Sequence, residues 1–239
     1  VTPAPTPPVL LAVDHPAQRA EAPLSALPLP ALHPLLPEPP PPEPPGPYLD
    51  GLRAALPSGA PGAVLASCAS APLAAVVAAR AGRAVPLVLF DAEPVTAATV
   101  LTAYRDTVAQ LGVLPDHREA RHLAGCVAEP GVFLAVARQR LAAHVGGALG
   151  VDGAATEEVE DLAAPLVDAA LRWLAHLLAA HHAPPPASVG PTLRILSANT
   201  PGDGLRVGCD RADLLRDPRT ADAVVSFLAA HGVRTDTDH

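Results

Sequence analysis

Cys68 stands between a short apolar run, Ala63-Val-Leu-Ala66, and a helix-like run that begins near Pro72. A thiol at a sharp strand-to-helix turn is placed for acyl transfer. The turn exposes the side chain, and the N–H groups at the helix start remain available to an oxyanion. Such a turn needs small residues two positions before and two after the nucleophile, and Ala66 and Ser70 occupy them. A helix N-terminus also favours thiolate over thiol. The N–H of Ala69 would then be one oxyanion donor. Two plainer readings stand beside this one. A free cysteine is more commonly a buried structural thiol. A register shifted by one, Ser67-Cys-Ala69-Ser-Ala71, centres on alanine and makes the turn inert.

Other residues of chemical type are scattered. Asp91 closes the apolar run Val85–Phe90, where it either caps the next segment or works at the strand end. His15 follows the run Val9–Val13, beside the edge of the sheet where ligands bind in parallel α/β folds. His181-His182 ends a helical stretch and reads as a pair complementing the helix dipole. His176 and His144 read as solvated or packing side chains, Arg211 as a surface or ion-pairing residue, and Cys126 and Cys209 as inert thiols. No CxxC or HExxH spacing occurs, so no metal is expected.

The elements that must position these residues alternate. Val9–Val13, Ala63–Ala66, Val85–Phe90, Leu193–Leu196 and Leu205–Val207 read as strands, with a short one around Ala31-Leu32. Helical spacing runs over Tyr48–Leu56, Pro72–Ala81, Val95–Leu111 and Arg219–Ala230. Pro72 is tolerated in a first turn, and Gly82 stops that helix. Pro28–Pro47 is too rich in proline for a long helix or a central strand. From His117 to His182 the pattern is helical only: Arg118–Val127, Val132–Leu149 and Thr156–His182. The last opens on Thr156 as a cap, with Glu157, Glu158 and Glu160 in its first turn. Val159, Leu162, Leu166, Leu171, Leu174 and Leu178 form its apolar face, and Pro165 is expected to kink or divide it. The order predicts an α/β domain over 9–239: a mostly parallel sheet with helices on both faces and a helical insertion at about 117–186. Residues 1–8 read as a proline-rich linker.

Composition narrows the function. The formal charge is −8, and aromatic residues make up 3% of the chain. Phosphate contacts need clustered cations and base stacking needs rings, so no nucleic-acid partner is expected. No apolar run reaches the ~18 residues of a membrane span, so no membrane association is expected either. Three widely spaced cysteines do not form a disulfide framework and point to a reducing, cytoplasmic compartment. All 16 basic residues are arginine, which with abundant alanine and proline points to a high-GC bacterial genome. The opening Val1-Thr-Pro-Ala and the absence of methionine read as a piece of a longer chain or as a processed chain.

The segment Ala66-Ser-Cys-Ala-Ser-Ala-Pro-Leu-Ala74 resembles the nucleophile segment of α/β-hydrolase thioesterase domains from nonribosomal peptide and polyketide synthases, Gly-x-Ser-x-Gly-Gly-x-x-Ala. Leu73 and Ala74 fall on family positions when Cys68 is at the centre, which favours that register. Leu87-Val-Leu-Phe-Asp91 resembles the strand that ends in the family's catalytic acid. Val13-Asp-His-Pro-Ala17 resembles its first-strand turn, with Gln18-Arg19 in place of two glycines, and Pro28–Pro34 resembles its next strand. The stretch 117–182 falls where the family carries a helical lid. The resemblance implies Cys68 as nucleophile, Asp91 as triad acid, and Ala69 and Ala17 as oxyanion donors. It implies an acyl or peptidyl carrier protein as partner, with the acyl chain borne on its phosphopantetheine arm and no other cofactor.

One position departs. The family's base lies in an Asp-His-x-x-Leu-Leu stretch, and Asp210-Arg-Ala-Asp-Leu-Leu215 puts Arg211 there. Arginine accepts no proton at neutral pH. His15 is the candidate substitute base. Two function classes follow: a release domain that loads an acyl chain onto Cys68 and frees it by hydrolysis or cyclisation, and a non-catalytic docking or structural domain. An unrelated esterase for small substrates is a third reading.

Overall fold

The computed structural model describes residues 9–16, 22–29, 32–81, 84–113, 116–148, 157–185 and 190–235. It divides into two compact units, one of residues 1–38, 52–94 and 183–239, the other of 39–51 and 95–182.

The first unit holds a sheet. Among the described residues its strands are β1 (Leu10–Val13), β2 (Leu32–Pro34), β3 (Ala63–Ser67), β4 (Leu87–Phe90), β5 (Thr192–Leu196) and β6 (Leu205–Arg206). All neighbours are parallel, in the order β2-β1-β3-β4-β5-β6. The first strand, β1, lies inside the sheet; the chain steps to one side for β2, then crosses back and builds outward. The inner strands β1, β3 and β4 are buried along their whole length. That explains their continuous apolar sequence, since a parallel strand covered on both faces has no polar side.

Alternation assigns the faces. Leu10, Leu65, Val88, Phe90 and Ile195 share one core with Leu24, Leu214, Leu215, Val224 and Leu228. Their neighbours Leu11, Val13, Val64 and Ala66 point the other way and are equally buried. Helix α2 (Ala71–Arg80) packs on β1, β3 and β4; the later helix of this unit, Pro218–Ala230, packs on β5. Asp217 caps the latter through the N–H of Arg219. The β5–β6 connection is short for parallel strands. Arg206 holds it together, donating to the carbonyls of Ser197 (2.9 Å), Ala198 (3.1 Å) and Thr200 (2.7 Å).

The second unit is helical. Helix α1 (Pro45–Ala54) enters it with its first turns. It continues with α3 (Ala97–Gln110), α4 (His117–Cys126), α5 (Pro130–Ala148) and α6 (Glu157–His181); the Pro218–Ala230 helix is then α7. The helical unit thus takes in α3 and Pro39–Gly51 as well as the stretch 117–182. Val100, Tyr104, Leu123, Phe133, Ala137, Leu141, Leu171, Leu174 and Leu178 form its interior.

Helix α6 differs from the sequence expectation. Pro165 lies inside it without dividing it. Leu166 is 55% exposed, and the buried face is carried by Val167, Leu171, Leu174, Ala175 and Leu178. Those positions keep the three- and four-residue spacing of one helix face, and Leu166 falls off it. Thr156 and Gly82 lie outside the described residues, as do the side chains of Val159 and Leu162. By length and composition Ala163–His181 is apolar enough to cross a membrane, and more than half of that stretch is buried within the protein.

Buried polar groups organise this unit. Tyr104 Oη donates to Glu119 Oε1, and His144 Nε2 lies 2.9 and 3.2 Å from the two oxygens of the same carboxylate. Burial would push Glu119 up, but these bonds and the charges of His144 and Arg140 outweigh it and hold the carboxyl below its ordinary range. Tyr48 Oη lies 2.8 Å from His176 Nδ1, and the imidazole stacks on Trp173. His176 and His144 are therefore packed rather than solvated. His181 Nδ1 and His182 Nε2 each lie 3.0 Å from a carbonyl, of Val95 and Val127 respectively. They tie the end of α6 to neighbouring chain.

Candidate functional site

The sheet's C-terminal edge gathers polar residues that are otherwise rare in this interior. Register makes this unavoidable. Val13 pairs with Ala66, and Ser67 pairs with Phe90, so β1, β3 and β4 end at the same edge of the sheet. Cys68 and Asp91 directly follow β3 and β4, His15 lies two residues past β1, and all three are buried.

Cys68 has φ +47°, the left-handed region. A non-glycine residue there is strained by about 1–2 kcal/mol. The chain leaves β3 in extended conformation at Ser67, reverses at Cys68 and runs through a 3-10 turn, Cys68–Ser70, directly into α2. Small neighbours permit this: Ala66 and Ser70 are buried against the turn. The N–H of Ala69 belongs to the first turn, where no acceptor exists within the helix. Ala17, the other expected oxyanion donor, lies outside the described residues.

Asp91 repeats the pattern at the end of β4, with φ +44°. Its own N–H donates to Ile195 O at 2.9 Å. Its Oδ1 accepts from the Ser197 N–H at 2.7 Å, which ties β4 to β5 past the end of the ladder. Its Oδ2 lies 4.0 Å from Arg211 Nε. Arg211 Nη1 in turn donates to Glu93 Oε1 at 2.9 Å. Among the described residues no imidazole hydrogen-bonds to Asp91. Arg211 opens the 3-10 turn Arg211–Arg216, which Leu214 and Leu215 anchor in the core. The structure therefore brings Arg211 to the carboxylate, and the cation sits beside the acid.

His15 is buried at the end of β1. Beside it, Asp14 accepts from Ser67 Oγ at 3.1 Å and from the Leu24 N–H at 3.0 Å. Burial pushes the Asp14 carboxyl above its ordinary range, against the lowering effect of the bonds from Leu24, Ser67 and His15. Asp14, Ser67, Glu93 and Ser197 are residues that sequence reasoning misses. A signal for Ser197 exists, since it directly follows an apolar strand, as Asp91 does. Asp14 has the same signal at the end of β1. The Glu93 link has none, because it depends on where Arg211 folds back.

The remaining thiols sit apart from this chemistry. Cys126 is buried in the helical unit. Cys209 is partly buried and adjoins Asp217; burial first, then that carboxylate, push its thiol up and disfavour a thiolate. Among the described residues, no group of three or more His, Cys, Asp or Glu side chains is placed to hold a metal ion. No protein-family model and no curated protein matches the chain.

Proposed function

We propose that this chain is a thioesterase-like acyl-transfer domain of the α/β-hydrolase type, with Cys68 as the residue that takes the acyl group. The observation that carries this reading is the left-handed Cys68 between a buried strand and a helix start. Strain of that kind persists where the surrounding structure imposes it, and it is characteristic of functional turns. The strand order supports the reading too. The nucleophile strand lies beside the first strand, the acid strand lies next outward, and the helical stretch interrupts the chain between β4 and β5. That is the chain position the resemblance gives to a lid.

In this reading the Cys68 thiolate attacks the carbonyl carbon of a carrier-bound thioester. A carbon–sulfur bond to Cys68 forms, and the oxyanion is held by the Ala69 N–H. Collapse breaks the bond to the pantetheine sulfur, which leaves with the electron pair and takes up a proton. The acyl group then passes to its acceptor. Incubation with an acyl-pantetheine thioester followed by intact-mass analysis tests this. An acyl adduct on the wild type that disappears in Cys68→Ala is the expected result. A folded wild type that never gains the adduct would remove the enzymatic reading.

One observation favours the second reading, a docking domain without catalysis. Arg211 stands at the base position and is occupied by Asp91 and Glu93. In that case Cys68 stays unmodified in the same assay, while the chain binds an acyl carrier protein in a separate binding measurement.

A further inference from the structure

Arg211 does more than vacate a base position; its pairing bears on which acceptors an acyl group on Cys68 could meet. We infer that Arg211 makes the domain an acyl holder that discharges to amines and resists water. This rests on the reading of Cys68 as the acylated residue.

Water and amines differ in what they need. A water molecule attacking a thioester must lose a proton as it attacks, and a positioned base speeds that step by about 10²–10⁴-fold. A neutral amine attacks without prior deprotonation. Its nitrogen forms the bond to the carbonyl carbon, the bond to Cys68 sulfur breaks, and the electron pair goes to that sulfur. The proton shed by the nitrogen then neutralises the thiolate. Atoms and charges balance with no further reactant.

Among the described residues no imidazole relay runs through Asp91 to speed attack by water. The Asp91 carboxylate serves the Ser197 N–H through Oδ1 and faces Arg211 through Oδ2. It orients no imidazole among the described residues. Arg211 donates to Glu93 at 2.9 Å, lies 4.0 Å from the Asp91 carboxylate, and sits on a turn anchored by buried leucines. A guanidinium there cannot take a proton at any pH where the protein is folded. Arg211 is thus a specificity-determining residue that acts by what it replaces.

The test follows an acyl-Cys68 adduct formed from an acyl-pantetheine thioester, in wild type, Arg211→His, Arg211→Gln and His15→Gln. Its decay is measured in buffer alone and with added glycine ethyl ester as the amine. The wild-type adduct should persist in buffer and be discharged by the amine. Arg211→His should shorten its life in buffer by about tenfold or more, rising with pH as an imidazole with an ordinary pKa near 6.5 loses its proton. Arg211→Gln, which removes the cation without adding a base, should leave the decay in buffer within about twofold of wild type. Equal decay in buffer for wild type and Arg211→His overturns the inference while leaving the acylation of Cys68 intact. Fast decay in Arg211→Gln also overturns it, because the arginine would then act as a shield. Fast wild-type decay in buffer that slows in His15→Gln overturns it too, because His15 would then supply the base. Absence of any adduct on the wild type removes the underlying reading instead.

Discussion

The left-handed turn at Cys68 makes a prediction that needs no substrate. Compare Cys68→Ala with Cys68→Gly, so that loss of the sulfur is common to both. At an ordinary buried position, replacing alanine by glycine costs about 0.5–1 kcal/mol in chain entropy. The lost buried methyl adds about 0.8 kcal/mol. Ala66, fully buried in β3 just before the turn, is such a position. Ala66→Gly should therefore destabilise by about 1.5 kcal/mol. At position 68 the same change also relieves a φ of +47°, and that relief is about 1–2 kcal/mol. The two terms nearly cancel, so the glycine and alanine variants at 68 should unfold within about 0.5 kcal/mol of each other. Urea unfolding of the three variants and the wild type, followed by circular dichroism, measures both differences in one unit of the fold. An alanine-to-glycine cost at 68 as large as at 66 would mean the turn is unstrained and would refute the argument from strain to function.

Four further outcomes follow from particular contacts. Glu119→Gln should be less stable than wild type, and the gap should depend on pH. The Glu119 carboxyl lies below its ordinary range in the folded state, so its contribution is present above about pH 4.3 and is lost as pH falls through the lower folded value; a gap unchanged from pH 6 to pH 3 would contradict this. Gly190→Ala puts a Cβ 2.1 Å from Val85 O and 2.7 Å from its carbonyl carbon, so the backbone must shift, at about 2–3 kcal/mol by thermal unfolding. Asp91→Asn keeps an acceptor for the Ser197 N–H but gives up the charge facing Arg211, and Cys68 acylation should survive it within about threefold, since among the described residues no imidazole bonds to Asp91. Cys68→Ser should form acyl-enzyme about 10²-fold more slowly or worse in stopped-time mass analysis, because a hydroxyl depends on a base far more than a thiol does.

Most of the sheet is legible because its inner strands are short, wholly apolar and bounded by turn residues. Leu10–Val13, Ala63–Ser67 and Leu87–Phe90 need no tertiary information to be recognised. The helix boundaries also follow from the sequence to within a few residues, as for α3, with its Thr96–Thr99 capping box. What the sequence hides is allegiance. Helix α3 has the same spacing as a helix that packs on the sheet, yet it joins the helical unit, because it packs on α4, α5 and α6 and its Tyr104 bonds Glu119. Leu166 is misread for a related reason. One apolar residue on a helix satisfies two neighbouring stripes, and packing chooses between them. At the site, Cys68 is legible from small residues at fixed offsets, whereas the left-handed φ of Asp91 is not, since no glycine announces it.

The pairing of a thiol with an arginine is coherent physically. Asp91 is 1% exposed, and it is needed where it is, because Oδ1 fastens β5 through Ser197. A buried carboxylate stripped of every counter-charge is costly by several kcal/mol. A neutral residue in the place of Arg211 would leave that charge unanswered. Arginine answers it permanently, at every pH, and in doing so ends proton transfer at that position. On the proposed reading, Cys68 then takes the acyl group without a relay through Asp91, which serine does poorly and cysteine does better, because a thiol's ordinary pKa is near 8.5. On the proposed reading, an acid retained for the fold, a base exchanged for a counter-ion and a nucleophile that tolerates the exchange together describe a site changed in its acceptor, with its acylation step preserved.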